Sequence, residues 1–240
     1  MQIEGTPVGV PFCFEEAFLT KLLFDPQLMP VQSVAGEAAV VDARLNTDWL
    51  RQRFAHPPAW QAESSDEHLL RAQGRPATPA SVLIPIVARE QGLTVLLTQR
   101  SEHLTDHGGQ ISFPGGRWEE SDASPIETAL RETEEEVGLD RRHIEVLGTL
   151  PDYFTGTGYR VTPVAAIVQP PFEINADPEE VAEVFEVPLA FLMDGAQHQL
   201  RDVELPNGTR RTFYTMPYQR YFIWGATAGM LRNLFHFLRA

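Results

Sequence analysis

A helix with both ends marked, set between strand-like runs, is the feature that most narrows the folds open to this 240-residue chain. Ser124-Pro125-Ile126-Glu127 combines a capping-box pattern with proline at the first helical position, where its missing N–H costs nothing. Ile126, Ala129, Leu130, Thr133 and Val137 then form an apolar or small-residue stripe at helical spacing, and Gly138 supplies a stop. Upstream, Ser81 to Val87 is a nearly continuous apolar run, Glu90-Gln91-Gly92 can turn, and Leu93 to Thr98 returns, which reads as a β-hairpin. Ile144 to Leu150, Val161 to Val168, Gln199 to Leu205 and Arg210 to Tyr214 are further strands, the last two joined through Pro206-Asn207-Gly208. A second helix runs from Ala226 to Leu238. Strands mixed with sparse helices predict a layered α/β sandwich.

Residues 1–78 are less regular. A helical start lies around Glu15 to Phe24 and a short helix over Asn46 to Phe54. The stretch from Pro57 to Pro79 mixes Pro, Ser, Gln and charge, and reads as a linker or loosely packed surface. The expected division is an N-terminal extension of unknown function over 1–78 and one main domain over 79–240. The formal net charge of -14 argues against a phosphate track for nucleic acid, which needs clustered Lys and Arg. No window is apolar enough for a membrane span, Met1 to Phe14 lacks the pattern of a secretory signal, and the single cysteine, Cys13, suits a reducing compartment. A cytoplasmic enzyme with neither a nucleic-acid nor a membrane partner is the expectation.

The helix at Ser124 also carries chemistry. Glu132, Glu134, Glu135 and Glu136 crowd its C-terminal half, where the macrodipole disfavours acids. Glu132, Glu135 and Glu136 stand at i, i+3 and i+4 and converge on one arc, whereas Glu134 points elsewhere. A bound divalent cation turns their repulsion into coordination, and hard carboxylate oxygens suit Mg²⁺ or Mn²⁺. Just upstream, Phe113-Pro114-Gly115-Gly116-Arg117 is a turn whose glycines let backbone approach a ligand and expose a carbonyl to a metal. His103 and His107 have no further ligand motif beside them, so zinc is not expected.

Taken together, these residues resemble the Nudix family. Its box runs glycine, five residues, Glu, seven residues, then Arg-Glu-apolar-x-Glu-Glu-x-Gly-apolar. The second half matches Arg131-Glu132-Thr133-Glu134-Glu135-Glu136-Val137-Gly138-Leu139, with Thr133 at the apolar position. The first half departs: the loop is one residue longer, and Ala123 stands where the box has Glu, leaving Asp122 or Glu120 to substitute. Leu96-Leu97-Thr98-Gln99-Arg100-Ser101 followed by Gly109-Gln110-Ile111-Ser112-Phe113-Pro114-Gly115-Gly116 resembles the additional motif of coenzyme A pyrophosphatases within that family, except that Thr105 replaces its Arg. Tyr221 to Gly229 resembles a terminal segment of the same subfamily.

The resemblance implies a Nudix-type α/β/α sandwich with a mixed sheet, and a metal-dependent pyrophosphohydrolase. Water would attack a phosphorus of the bridge in coenzyme A or a derivative, giving 3′,5′-ADP and 4′-phosphopantetheine or its acylated form. It further implies Glu132, Glu135 and Glu136 as catalytic metal ligands with the Gly116 carbonyl. Arg100, Gln110 and Phe113 are implied at the substrate, and Arg131 with Asp122 as support. The general base stays open between a box glutamate and Glu179, Glu180, Glu183 or Glu186. The competing expectations are another substrate (ADP-ribose, NADH or a diadenosine polyphosphate) and a non-catalytic nucleotide sensor. The oligomeric state is open, a homodimer included.

Overall fold

The structure, a computed structural model, describes residues 24–63, 76–104, 107–204, 208 and 210–240. Cys13, the helix expected from Glu15, Thr105 and the Pro206-Asn207 part of a turn lie outside the described residues. The main elements in chain order are β1 (Val31–Val34), α1 (Thr47–Ala55), β2 (Thr78–Arg89), β3 (Gly92–Arg100), β4 (Ile111–Ser112), β5 (Gly115–Arg117), α2 (Pro125–Val137) and β6 (Ile144–Thr149). They continue with β7 (Tyr153–Phe154), β8 (Tyr159–Val168), β9 (Val181–Pro188), α3 (Leu189–Leu192), β10 (Gln199–Glu204), β11 (Arg210–Tyr218), β12 (Tyr221–Trp224) and α4 (Gly225–Arg239).

β2 and β3 form the hairpin, Arg89 opposite Gly92. β8 lies parallel to β2 from Thr78 opposite Tyr159 to Val87 opposite Val168, while β6 and β9 run antiparallel to β8 and β3. The sheet is therefore mixed. β2 alternates between two buried faces, which is why its sequence is apolar almost without a break. Leu83 packs with Ala129 and Leu130 of α2, whereas Ile84 and Ile86 join Val95, Leu97 and the α4 residues Leu231, Leu234 and Leu238. α2 and α4 thus cover opposite faces, giving an α/β sandwich. A second, four-stranded sheet has the order β1-β10-β11-β12.

The segment from Val31 to Glu63 packs against this body. α1 is capped by Asn46, whose side chain accepts the Trp49 amide hydrogen at 2.9 Å, and it buries Leu50 completely. Arg44 donates to the Leu238 and Arg239 carbonyls at 3.0 and 2.7 Å, satisfying the open end of α4. Arg232 of α4, 2% exposed, pairs with Glu37 at 2.9 Å and Glu63 at 3.0 Å. Trp60 packs on Phe237 and the Glu63 amide donates to Asn233, so Pro57 to Glu63 is a strap on α4 rather than the linker or loosely packed surface expected there. Its polar sequence conceals partners far along the chain.

Candidate active site

α2 forms where the sequence places it. The Ser124 side chain accepts the Glu127 amide hydrogen at 3.3 Å, Pro125 opens the first turn, and Gly138 closes the last with φ 67°. Thr133 fits the apolar position because its hydroxyl donates to the Ala129 carbonyl at 2.6 Å, leaving its methyl to the core. The glycine turn is equally constrained. Gly115 has φ 152°, and a Cβ there would strike the backbone of Ser81. A Cβ on Gly116 would fall on the Glu132 carboxylate, so the turn and that acid are in direct apposition.

The three glutamates share one side of α2 but are held differently. Glu136, 3% exposed, accepts the Gly115 amide hydrogen at 2.9 Å and the Arg100 Nη1 hydrogen at 3.2 Å. Burial outweighs both contacts and, with Glu180 and Glu132 nearby, pushes its carboxyl up to about 7. Glu132 sits 3.0 Å from Arg131 Nη2, and its carboxyl is also raised, first by burial and then by Glu135 and Glu180. Glu135 is 59% exposed and lies 2.8 Å from Arg131 Nη1. Glu134, as expected, turns away and pairs with Arg141 at 2.7 Å.

Arg131 is the hub of the loop. It donates from Nε and Nη2 to the two oxygens of Asp122, and from Nη2 to the Arg117 carbonyl at 3.1 Å. Asp122 therefore occupies the supporting position left open by the lengthened loop, and Arg131 holds its carboxyl well below the usual range.

The four outlying acids separate. Glu186 pairs with Arg89, Glu183 bonds Arg220 and Tyr221, and Glu179 lies 3.7 Å from His103. Glu180 is the one whose charge acts on both Glu132 and Glu136. Backbone bonds place it there: Asp177 N donates to the Glu136 carbonyl at 3.0 Å, and Ser101 N to the Glu180 carbonyl at 2.9 Å. The Ser101 hydroxyl adds a bond to the Pro178 carbonyl at 3.0 Å. Ser101, the last residue of the Leu96 to Ser101 run, thus ties the end of β3 to the Glu180 loop through partners remote in sequence. Glu183 and Glu186 belong to β9.

Gln110 lies on the turn before β4, its carbonyl accepting from Arg100 N at 2.9 Å and its side chain 3.1 Å from His107 Nδ1. Phe113 corrects the expectation of a substrate contact: it is 2% exposed and packed in the core with α4, so its ring offers no face to a ligand.

Among the described residues, no three acids are already gathered into a closed ligand set, because Arg131 and Arg100 hold Glu135 and Glu136 in part. The donor chemistry nonetheless fits a hard divalent cation. Glu132 and Glu136 present carboxylate oxygens beside the Gly115-Gly116 turn, with Glu135 one turn along the same helix, and burial first, then neighbouring acids, raises the carboxyls of Glu132 and Glu136.

A model of the NUDIX domain matches residues 77–204. This chain belongs to the Nudix family. An Escherichia coli strain K12 protein named Uncharacterized Nudix hydrolase NudL is 47% identical over 156 residues, 65% of this chain and 80% of that one. A Shigella boydii serotype 18 protein of the same name matches to the same extent, 47% over 156 residues, covering 65% and 80% of the two chains. The solved structure of the Nudix hydrolase RenU from M. smegmatis is similar with a TM-score of 0.41 at 25% identity, over 48% of this chain and 73% of that one. The chain is a Nudix pyrophosphohydrolase. Among the described residues, no helix is long and apolar enough to cross a membrane.

Proposed function

We propose that this Nudix enzyme hydrolyses the pyrophosphate bond of coenzyme A or its acyl derivatives, releasing 3′,5′-ADP and 4′-phosphopantetheine or acyl-phosphopantetheine. Its compartment in this reading is the cytoplasm. The observation that carries the reading is the contact of Arg100 with Glu136, which joins the Leu96 to Gly116 segment to the box helix at 3.2 Å. The segment that resembles the coenzyme A motif is thus built into the acidic face.

Glu132, Glu135, Glu136 and the Gly116 carbonyl would hold Mg²⁺ or Mn²⁺. When bound, the cation neutralises developing charge on the bridge and lowers the pKa of attacking water. Glu180, outside the helix but in its field, takes the proton from that water as its oxygen bonds to phosphorus. The phosphorus–oxygen bond of the bridge then breaks and the leaving phosphate departs with its oxygen. Arg100 offers its remaining guanidinium hydrogens to bridge or 3′-phosphate oxygens, for which its planar fork is suited. Arg131 and Asp122 fix the loop.

The test is product identification by mass spectrometry from a panel of coenzyme A, acetyl-coenzyme A, ADP-ribose, NADH and diadenosine tetraphosphate in Mg²⁺ buffer. Release of 3′,5′-ADP from the first two, abolished by EDTA and restored by Mg²⁺, is the expected result. Preferential turnover of ADP-ribose with coenzyme A untouched overturns the substrate assignment.

A further inference from the structure

Both oxygens of the Glu136 carboxylate have protein partners. Oε2 accepts the Gly115 amide hydrogen at 2.9 Å, and Oε1 accepts a hydrogen from Arg100 Nη1 at 3.2 Å. The carboxylate is 3% exposed, so these two donors supply most of the solvation that water gives a carboxylate at the surface. They differ in kind. The Gly115 amide is neutral and fixed in a turn where a Cβ would strike Ser81, whereas Arg100 brings a full positive charge on a side chain that is itself 24% exposed.

Backbone bonds fix where the Arg100 side chain begins. Its N–H donates to the Gln110 carbonyl at 2.9 Å, its carbonyl accepts the Gly109 amide hydrogen at 3.0 Å, and it lies opposite Val181 of β9. Its hold on Glu136 is by contrast one long contact from one nitrogen, unlike the fork with which Arg131 grips Asp122. Arg100 is thus anchored at its backbone and lightly held at its tip.

That tip puts a positive charge on a carboxylate that the metal site needs. Two cations sharing one carboxylate in a partly buried place repel each other with little screening by water. The repulsion falls if the guanidinium leaves Glu136 or if an anion enters between the two charges. A pyrophosphate bridge supplies that anion, because its oxygens suit a hard cation and also match the planar hydrogens of Arg100.

We infer that Arg100 is a positioning residue that couples metal binding to substrate binding, competing with the cation for Glu136 and yielding when the anionic bridge arrives. The inference rests on the reading of Glu132, Glu135 and Glu136 as the metal site, but not on coenzyme A being the nucleotide. The charge that solvates a buried carboxylate is then handed to the substrate.

The experiment is calorimetric titration of the EDTA-treated full chain with Mg²⁺, with and without inorganic phosphate as the anion. Wild type, Arg100→Gln, Arg100→Met and Arg100→Lys are compared, with thermal melts identifying the variants that fold. Without phosphate, the neutral variants are expected to bind Mg²⁺ about tenfold more tightly than wild type, an ordinary size for coupling between two sites. Arg100→Lys should stay within about threefold of wild type, since a contact from one nitrogen depends on the charge more than on the fork. Phosphate should tighten Mg²⁺ binding in wild type and do so less in the neutral variants. Loss of a purely structural contact would weaken the metal site, so the sign separates the two roles. The inference is overturned by unchanged or weaker Mg²⁺ affinity in a folded neutral variant, by a Lys variant that behaves like the neutral ones, or by no gain from phosphate in wild type. Undiminished Mg²⁺ binding by a Glu132→Gln, Glu135→Gln double variant would overturn the metal site itself, and the inference with it.

Discussion

Asp122 and Arg131 meet through two parallel hydrogen bonds, Nε to Oδ1 at 2.9 Å and Nη2 to Oδ2 at 3.0 Å. This fork joins the lengthened loop to the box helix at the level of Glu132. The Asp122 side chain is 3% exposed, so its removal leaves a partly buried guanidinium without its main acceptor. Asp122→Ala is expected to lower the unfolding free energy by about 2 kcal/mol in urea titrations and to reduce kcat. Glu120→Ala, at an exposed position of the same loop, should change neither. Equal effects from the two variants would remove Asp122 from its supporting role.

Glu135 gives the opposite separation of stability from activity. At 59% exposure its ion pair with Arg131 is worth only about 0.5 kcal/mol, so Glu135→Gln should unfold nearly as wild type does. Turnover in Mg²⁺ should nevertheless fall about a hundredfold or more, because a metal ligand is lost where charge develops. Unchanged turnover would make this face of the helix structural.

His198 makes stability depend on pH. It is fully buried, its Nε2 2.8 Å from the Leu192 carbonyl and its Nδ1 3.1 Å from Arg232 Nη1, a pattern that requires the neutral ring. Burial is the main reason its pKa falls to about 4, from about 6.5 in an unfolded chain. Between those values the unfolded state binds the extra proton. The stabilisation is thus complete above about pH 6.5 and is lost as pH falls toward 4, by up to about 3 kcal/mol. Urea midpoints measured from pH 7.5 to 4 should show the slope, and His198→Gln should flatten it.

Arg232 tests whether the strap belongs to the folded body. It is 2% exposed and shared by Glu37 and Glu63, and Glu63 is also bonded by His236 and Tyr214. Burial alone would raise the Glu63 carboxyl, but the His236 and Tyr214 hydrogen bonds and the Arg232 charge together hold it at about 2. Arg232→Leu should cost about 3 kcal/mol, since two carboxylates lose their cation. Combining it with Glu37→Gln and Glu63→Gln should recover part of that loss. A chain begun at Thr78 should melt well below the full chain, and equal melting temperatures would contradict the packing.

The parts of this fold that could be read locally are those whose causes are local. Ser124, Pro125 and Gly138 mark α2 within its own sequence, and the two-sided burial of β2 and β8 makes both continuously apolar. β9 is hard to read locally because Glu183 and Glu186 find their partners Arg220 and Arg89 only across 37 and 97 residues. The same distance effect hides the position of Glu180, which depends on Asp177 and Ser101 holding one loop, and the burial of Phe113, which depends on α4. Asp122 lay between the two: the sequence narrowed the support to Asp122 or Glu120, and only the reach of Arg131 decides.

The bonds from Arg44 to the Leu238 and Arg239 carbonyls span 194 and 195 residues. During synthesis, Arg44 emerges long before its acceptors exist, and the counter-ions of Arg232, Glu37 and Glu63, wait across 195 and 169 residues. The sheet hairpin can form early, but the strap has nowhere to dock until α4 has left the ribosome. Docking of the strap therefore waits on the synthesis of α4, and the nascent species open to proteases or chaperones is one whose acidic helix α2 is already built.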